Sequence, residues 1–240
     1  MKRLATAAVP RGQRVLDISH ATVAGDDQRH AYIMRGNLHV DAGELVLVHV
    51  VDVRQAELWA DAAVGVLSPL EGRVAVLGND LAELDVETGC WLRGRIGRVF
   101  GRGNWIGHES LLDNILLPAR YHSGRSDADL IGEASLLATD FGMPGIPLGT
   151  PDRFTRPDLQ RAACIRAFLG DPMLVILEDP TDGAHASLLK PLMDAIRLSR
   201  DRGAGVLWFS PAEEIWRDRS IPVTRRYRVA GNELTEVTSH

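Results

Sequence analysis

The sequence predicts an α/β fold built on a parallel β-sheet that helices cover on both faces. In the later half of the chain, helical segments alternate with short apolar strands, which is the pattern of crossover-connected parallel strands. The run ELVLVHVV (residues 44–51) is almost continuous in aliphatic and β-branched residues, as a strand buried on both faces should be. The first third carries strand signals separated by turns.

The N-terminal elements follow from these patterns. RVLDISHATVA (residues 14–24) alternates partly in the period of a strand, and GNLHVDAGELVLVHVV contains two strand-like runs with a turn at residues 41–43. RQAELWADAAVGVL (residues 54–67) predicts a helix, which Pro69 and Gly72 end. GRVAVLG (residues 72–78) predicts the next strand.

The middle of the chain predicts a strand, a glycine-rich turn and two helices. GRIGRVF (residues 94–100) has the strand pattern, and HESLLDNILLPARYH (residues 108–122) is helical. A second helix over residues 126–141 has Ser126 as its N-cap, with Asp127 and Asp129 in the first turn. GMPGIPLGTP (residues 142–151) is the most turn-rich segment and predicts a hinge or a subdomain edge.

The last third gives two more helices, two buried strands and a hairpin. The helices are PDLQRAACIRAFLGDP, ending at Gly170, and LLKPLMDAIRLSRDRG, with Pro191 near its start. The strands are MLVILED and AGVLWFS, and RRYRVAGNELTEV predicts a terminal hairpin.

Composition narrows the functional classes. The net charge of −5 argues against a nucleic-acid partner, which would require a basic stripe. Two basic clusters are predicted to be solvated rims: Arg93, Arg95, Arg98 and Arg102, then Arg225, Arg226 and Arg228. The two cysteines have no pairing or metal spacing, and the scattered histidines predict neutral surface side chains. No apolar run approaches membrane-spanning length, and the N-terminus is not typical of a signal peptide.

Several segments, in this order, carry a resemblance that covers about residues 15–237. They are AGELVLV, SPLEGRVAVLGNDLAELD, IGRVFGRGNWIGHESLLDNILLP and LQRAACIRAFLGDPMLVILEDPTDGAHA. The chain resembles the ATP-binding cassette (ABC) domain of ABC transporters. The resemblance implies a P-loop NTPase-like fold with a RecA-like core, an antiparallel β subdomain and a helical subdomain. The core and β subdomain would span about residues 14–102 and 159–240, and the helical subdomain about residues 103–158.

The phosphate-binding loop of the family is altered at every position that carries its chemistry. With Gly43 and Gly72 kept in register, the pattern G-x-x-x-x-G-K-[ST] falls on residues 50–57. Val50 and Gln55 then stand in the glycine places, Ala56 in the lysine place and Glu57 in the magnesium-binding hydroxyl place. Glycines let backbone N–H groups curl around phosphate and the lysine supplies positive charge, so tight ATP binding is not expected. Asp52 or Glu57 would instead complement the helix dipole.

The other nucleotide motifs also depart from the family pattern. Gly101 stands at the Q-loop glutamine, and the signature loop becomes FTRPD, in which Thr155 and Arg156 are the remaining weak candidates for binding an anion. Glu178 replaces the magnesium-linked aspartate, and Asp179 the catalytic glutamate. Ser210 and Pro211 lie where the switch histidine is expected, and an adenine-stacking aromatic is missing around residues 23–24.

The region around GRGNWIG (residues 101–107) is the predicted partner surface. Its glycine spacing is wrong for a dinucleotide fingerprint, which leaves a flexible loop as the plain interpretation. In the family this region lines the groove that receives a helix of the membrane subunit. The contact candidates are Gly101, Arg102, Gly103, Asn104, Trp105, Ile106, Leu111, Leu112 and His185. For the two leucines, burial in the core is at least as good an explanation.

The sequence therefore predicts a catalytically inactive ABC-type subunit, with a structural or regulatory role in a transporter that handles lipid or lipoprotein. No catalytic residue, metal or cofactor is expected. The partners would be a membrane permease and either an active ABC ATPase subunit or a second copy, at the cytoplasmic face of the membrane. The first alternative is a divergent ABC ATPase that uses ATP and Mg²⁺ at a non-standard site built on Glu178 and Asp179. The second is an interaction module unrelated to transport.

Overall fold

The computed structural model describes residues 10–27 and 30–237, and of residues 26, 27, 30–32 and 185 the backbone only. The strands are β1 (Arg14–Asp27), β2 (His30–Asp41), β3 (Leu45–His49), β4 (Glu71–Val76), β5 (Asn79–Asp80), β6 (Ile96–Val99), β7 (Leu174–Glu178), β8 (Gly205–Ser210), β9 (Arg225–Ala230) and β10 (Glu233–Glu236). The helices are α1 (Val53–Ala63), α2 (Val86–Arg93), α3 (Leu111–Ser123), α4 (Asp127–Asp140), α5 (Arg156–Phe168), α6 (His185–Asp201) and α7 (Glu213–Arg217), with a 3-10 turn at Pro151–Arg153.

These strands form one mixed sheet in the order β5-β4-β1-β2-β10-β9-β3-β8-β7-β6. Strands β9, β3, β8, β7 and β6 run parallel to their neighbours in that series, whereas β1 pairs antiparallel with β2 and β4. β10 joins the two regions, since it pairs antiparallel with β9 and parallel with β2. The predicted α/β fold, with a parallel region and an antiparallel region, is confirmed.

The central strands are buried on both faces, as their apolar runs predict. In β8, Leu207 and Phe209 pack into the core on the α1 side, and Val206 and Trp208 pack into the core under α3, α5 and α6. Since successive side chains of a strand point to opposite faces, both faces of the parallel region need an apolar layer. Covering helices on both sides hold the carboxyl ends of β3, β7 and β8 at one edge.

The long elements agree with the sequence patterns, and two short helices were not predicted. Ser126 caps α4 by accepting a hydrogen bond from the Asp129 N–H at 3.2 Å. The missed helices α2 and α7 have eight and five residues, with few apolar positions to mark a period. Helices α3 and α4 lie within residues 103–158, and the subdomain division itself stays a prediction.

Within residues 10–27 and 30–237, none of the helices has the length and apolar character needed to cross a bilayer. Cys90 and Cys164 are both free thiols.

Candidate functional site

The turn between β3 and α1, where the resemblance puts a phosphate-binding loop, uses its own polar atoms. Only residues 50–52 connect the strand to the helix. Asp52 is the N-cap and accepts a hydrogen bond from the Arg54 N–H at 2.9 Å, and Gln55 Oε1 accepts one from the Val51 N–H at 3.0 Å. Two of the backbone amides near this helix start, those of Val51 and Arg54, are therefore already bonded to side-chain oxygens. The prediction that Asp52 complements this helix is confirmed.

Replacing Asp52 with alanine is expected to lower the free energy of unfolding by about 1 kcal/mol, because α1 loses its cap. Asp52→Asn is the matched control and should retain most of the stability, since its side-chain oxygen can accept the same bond. Urea unfolding measures both variants. Equal losses in the two would show that the negative charge, and not the cap, is what α1 requires.

Ala56 and Glu57, which the resemblance puts at the lysine and hydroxyl positions of the phosphate-binding loop, lie on the first turns of α1. Ala56 is buried in the core, so the position that the resemblance gives to the lysine presents no charged side chain to the loop. Glu57 is half-buried, and its Oε1 lies 3.4 Å from Arg102 Nε. The carboxylate at the magnesium-hydroxyl place is thus paired within the chain.

Glu178 lies at the end of β7 in a buried ion pair. Its side chain is fully buried, and Oε1 accepts a hydrogen bond from Arg98 Nε at 2.5 Å. The second carboxylate oxygen, Oε2, accepts a hydrogen bond from the Gly101 N–H at 3.3 Å. Arg98 also donates from Nη1 to Asp61 Oδ1 at 2.6 Å. Burial raises the pKa of Glu178, and the Arg98 charge opposes that rise. Glu178 thus accepts a bond from one loop amide, that of Gly101, but its main partner is an arginine.

Asp179 follows directly and faces a different set of groups. Its backbone is left-handed, with φ of 44°, and its N–H donates to the Phe209 carbonyl at 2.8 Å. The Ser210 hydroxyl donates to its Oδ1 at 3.3 Å. Burial, helped by the nearby Asp182 carboxylate, raises the pKa of Asp179 from 3.8 to about 6.

This shift predicts a pH-dependent contribution to stability. Between about pH 4 and pH 6 the folded protein holds a proton on Asp179 that the unfolded chain has lost. The free energy of unfolding should therefore fall as the pH rises through that window. Asp179→Asn cannot titrate, so it should lose this part of the pH dependence and be at least as stable as the wild type at pH 7. Urea unfolding across the window tests this, and parallel curves for the two proteins would contradict it.

The loop after β6 is held by Arg166 of α5. Gly103 and Asn104 are both left-handed, with φ of 76° and 47°, and their carbonyl oxygens accept bonds from the Arg166 guanidinium at 2.7 and 3.4 Å. The same guanidinium lies over the Trp105 ring at 4.3 Å and the Phe100 ring at 5.2 Å. Ile106 is bonded through its backbone to Asn114 at 2.8 Å and keeps 37% of its surface exposed. Of these residues, Phe100, Asn104, Ile106, Asn114 and Arg166 line a cleft of about 500 Å³ between α1, β6 and α3.

The remaining predicted residues are placed as follows. Thr155 caps α5 through Asp158, and Arg156 pairs with Asp182. Pro211 is half-buried just after β8, and Leu112 is partly buried against the core. Leu111 is fully buried and is a core residue, so the interpretation as a partner contact is wrong for it. His185 begins α6, and its side chain lies outside the described part.

Two general expectations also need correction. Arg98 was assigned to a solvated rim, but its side chain is only 8% exposed. His49 is buried at the end of β3, with Nε2 3.3 Å from Glu213 Oε1, and is not a surface histidine. Sequence reasoning also missed Arg166. For Arg98 and Arg166 the sequence signal was their position inside apolar elements, where a cationic side chain requires a bonding partner.

Magnesium nucleotide does not fit these residues. The Val51 and Arg54 amides near the start of α1 are bonded internally, and Arg98 bonds Glu178, the carboxylate that stands where the resemblance puts the magnesium-linked one. In the described part of the chain, no group of three or more His, Cys, Asp or Glu side chains is arranged to hold a metal ion.

The chain has the fold of the ATP-binding cassettes of ABC transporters. The dimeric bacterial ABC transporter cassette MJ0796 superimposes with a TM-score of 0.80 at 18% identity, covering 94% of this chain and all of that one. The same cassette, in a post-hydrolysis dimer bound to ADP and Pi, gives a TM-score of 0.77.

Among individual proteins, the chain is similar to ATP-binding transport proteins. The macrolide export ATP-binding/permease protein MacB of Rhodopirellula baltica is 28% identical over 152 residues, which are 62% of this chain and 22% of that protein. The methionine import ATP-binding protein MetN 2 of Pseudomonas aeruginosa is 24% identical over 198 residues, 72% of this chain and 59% of that protein. The chain thus spans about a fifth and three fifths of these relatives. No family model matches the sequence.

Proposed function

We propose that this chain is an ABC-type subunit that neither binds nor hydrolyses ATP, and that it has a structural or regulatory role in a transport complex. The main support for the proposal is that the polar and charged groups of the candidate site are already bonded to one another within the chain. Glu178, at the place of the magnesium-linked carboxylate, bonds Arg98 at 2.5 Å, and the Val51 and Arg54 amides bond Gln55 and Asp52. An arginine thus supplies, from within the chain, the positive charge that a metal would otherwise bring to this carboxylate.

The comparisons support a proposal for the partners. MacB is named for both an ATP-binding and a permease part, and the MJ0796 cassette is dimeric. We infer that this chain lies beneath a membrane permease and pairs with a second cassette, either an active ATPase or a copy of itself. A site at the inner face of the membrane follows from that role.

The transported substrate stays open. The handling of lipid or lipoprotein remains a prediction from the sequence. The relatives are named for macrolide export, methionine import and ribonucleotide transport, so they point to no single substrate class.

Titration of the purified protein with a fluorescent ATP analogue and Mg²⁺ tests the proposal. We expect no saturable binding up to about 1 mM, a concentration at which even a weak site of about −4 kcal/mol is half filled. An ATP-hydrolysing cassette of the same fold is the positive control. Micromolar binding that is lost in Glu178→Gln or Asp179→Asn would overturn the proposal and support the divergent ATPase. Co-purification with a permease tests the role in transport separately.

A further inference from the structure

A groove of about 580 Å³ lies between α4 and α6, with the carboxyl end of α5 between them. The residues that line it come from 133–141 on the α4 side and from 191–202 on the α6 side. At a rise of about 1.5 Å per residue, these stretches are about 12 and 17 Å long, so the groove has the length of roughly two to three helical turns. None of its residues stands at a position that the resemblance assigns to nucleotide or to the membrane subunit.

The inside of the groove is apolar, and two of its leucines are well exposed. Phe141 and Phe168 are buried, with their ring centroids 6.0 Å apart. Leu136 on α4 and Leu198 on α6 also line the groove and are 69% and 46% exposed. A single exposed leucine is ordinary, but these two belong to the opposite sides of one groove. An apolar groove between two helices is a surface on which the apolar stripe of an amphipathic helix can pack.

The charged side chains around the groove are mostly acidic. Four carboxylates and two guanidinium groups line it, with a formal charge of −2: Glu133, Asp140, Asp171, Asp194, Arg197 and Arg202. Two of the carboxylates are already bonded, since Glu133 accepts from the Gly170 N–H at 2.8 Å and Asp171 lies 3.1 Å from Arg202. Asp140 and Asp194 are each about two helical turns from that end of the groove, along α4 and α6.

These two carboxylates have room for a further cation. Among the described residues, none is bonded or ion-paired to the Asp140 side chain, and the last turn of α4 contains no basic residue. The negative end of the helix dipole disfavours a carboxylate at this place, whereas a cation from outside would be attracted by both. Asp194 has one partner, Lys190 at 2.9 Å, in an exposed pair of the kind that contributes little to stability.

We propose that the groove binds an amphipathic helical segment of a protein partner other than the membrane subunit. Its apolar stripe packs on Leu136 and Leu198, and its lysines or arginines pair with Asp140 and Asp194. The charge of the lining favours a basic segment over a neutral or acidic one. This inference goes beyond the proposed function and does not depend on it, because it requires neither nucleotide nor a permease.

The experiment uses the full chain and two end-blocked, fluorescently labelled helical peptides of about 14 residues. Both peptides carry leucines at positions i, i+3, i+4 and i+7, and they differ only at two flanking positions, which are lysine in one and glutamine in the other. We expect the lysine peptide to bind about fivefold more tightly, as two partly exposed ion pairs imply. Because these pairs are open to solvent, the advantage should shrink when the salt concentration is raised to about 1 M.

A first pair of variants tests the charges. Asp140→Asn combined with Asp194→Asn should remove the advantage of the lysine peptide. Glu83→Gln combined with Glu87→Gln is the matched control, because it changes the net charge equally at exposed residues that do not line the groove. The control should keep the advantage.

A second pair of variants tests the apolar contact. Leu136→Ser should weaken the binding of both peptides by about fivefold or more, since part of a leucine side chain is no longer covered by the peptide. Leu70→Ser is the matched control, because Leu70 is 67% exposed and does not line the groove. It should leave both affinities unchanged.

Equal affinities of the two peptides at low salt, or an advantage that survives the two aspartate substitutions, overturn the proposal. Binding of neither peptide up to about 1 mM also overturns it. Self-association of the wild-type protein that is lost in Leu136→Ser would assign the groove to a second copy of this chain instead. Tighter binding of 4-phenylbutylamine than of the lysine peptide, with no binding of 4-phenylbutanol, would assign it to small organic cations. Either of these last two results overturns the proposal of a partner helix.

Discussion

Replacing Arg98 with methionine is expected to lower the free energy of unfolding by about 3–5 kcal/mol at neutral pH, the cost typical of breaking a buried ion pair by removing one partner. Glu178 is fully buried, and Arg98 is the only cationic side chain bonded to it in the described part of the chain. Without the guanidinium, the carboxylate keeps only the Gly101 N–H as a donor, at 3.3 Å. Urea unfolding of the two proteins gives the difference directly.

Two further variants separate the charge from the packing. In Arg98→Met with Glu178→Gln, both charges are gone and Gly101 keeps an acceptor, so most of the lost stability should return. Arg102→Met is the matched control, because Arg102 is 66% exposed and pairs with Glu57 at 3.4 Å. Removing such an exposed pair should change stability by about 0.5 kcal/mol or less.

The pH dependence of Arg98→Met gives a second measurement of the same charge. Burial already raises the pKa of Glu178, and loss of the arginine should raise it further. The folded variant then binds a proton that the unfolded chain does not, so its stability should fall as the pH rises. The difference from the wild type should consequently be larger at pH 8 than at pH 5. A loss no greater than that of Arg102→Met at both pH values would show that Glu178 is not ionised in the native protein.

The sequence predicted the scaffold well because the scaffold depends on local patterns. The continuous burial of β3, β7 and β8 follows from apolar residues that need both faces of the sheet covered. Ser126 and the apolar period after it located α4 almost to the residue. Short elements such as α2 were missed because they contain too few residues to show a period.

The candidate site was predicted less completely because its partners are distant in sequence. Arg98 and Glu178 are 80 residues apart, and Arg166 is 63 residues from Gly103. A run of arginines at residues 93–102 indicates a solvated rim when each is considered alone. Only the pairing of β6 with β7 places one of them beside a buried carboxylate. Residue identity and spacing therefore located the candidate positions. The ion pair between Arg98 and Glu178 could be recognised only from the fold.

If the chain is inactive as proposed, the buried ion pair between Arg98 and Glu178 leads us to expect that introducing single motif residues would not produce ATP hydrolysis. A lysine placed at Ala56 would enter a buried helix face, where an ammonium group is costly unless it is paired. Glu178 would still be bonded to Arg98. Under the proposed function, residues outside the motifs contribute to the loss of activity, and Arg98 is the clearest of them.

Gly97 is expected to be the most sensitive glycine near the site, because it lets β6 and α5 approach closely. A Cβ atom at this position would lie 1.8 Å from the Ala167 carbonyl oxygen, which belongs to the backbone of α5 and cannot rotate away. Gly97→Ala should therefore separate β6 from α5 and lower the free energy of unfolding by about 3 kcal/mol or more, at the upper end for overpacking. Because Arg166 on α5 stacks on Phe100 and Trp105 beyond the end of β6, the contacts that hold the loop at residues 101–106 should weaken as well.

Gly132→Ala is the matched control for that substitution. Gly132 lies in α4, where an added methyl group would have no neighbouring atom within 4 Å, and alanine should stabilise the helix there by about 0.5–1 kcal/mol. Opposite signs for the two glycine-to-alanine changes would identify close packing of β6 on α5 as the feature that positions Arg166. A Gly97→Ala protein within about 1 kcal/mol of the wild type would mean that α5 can shift at little cost, and the loop at residues 101–106 would then have to be positioned by Arg166 and Trp105 without help from that contact.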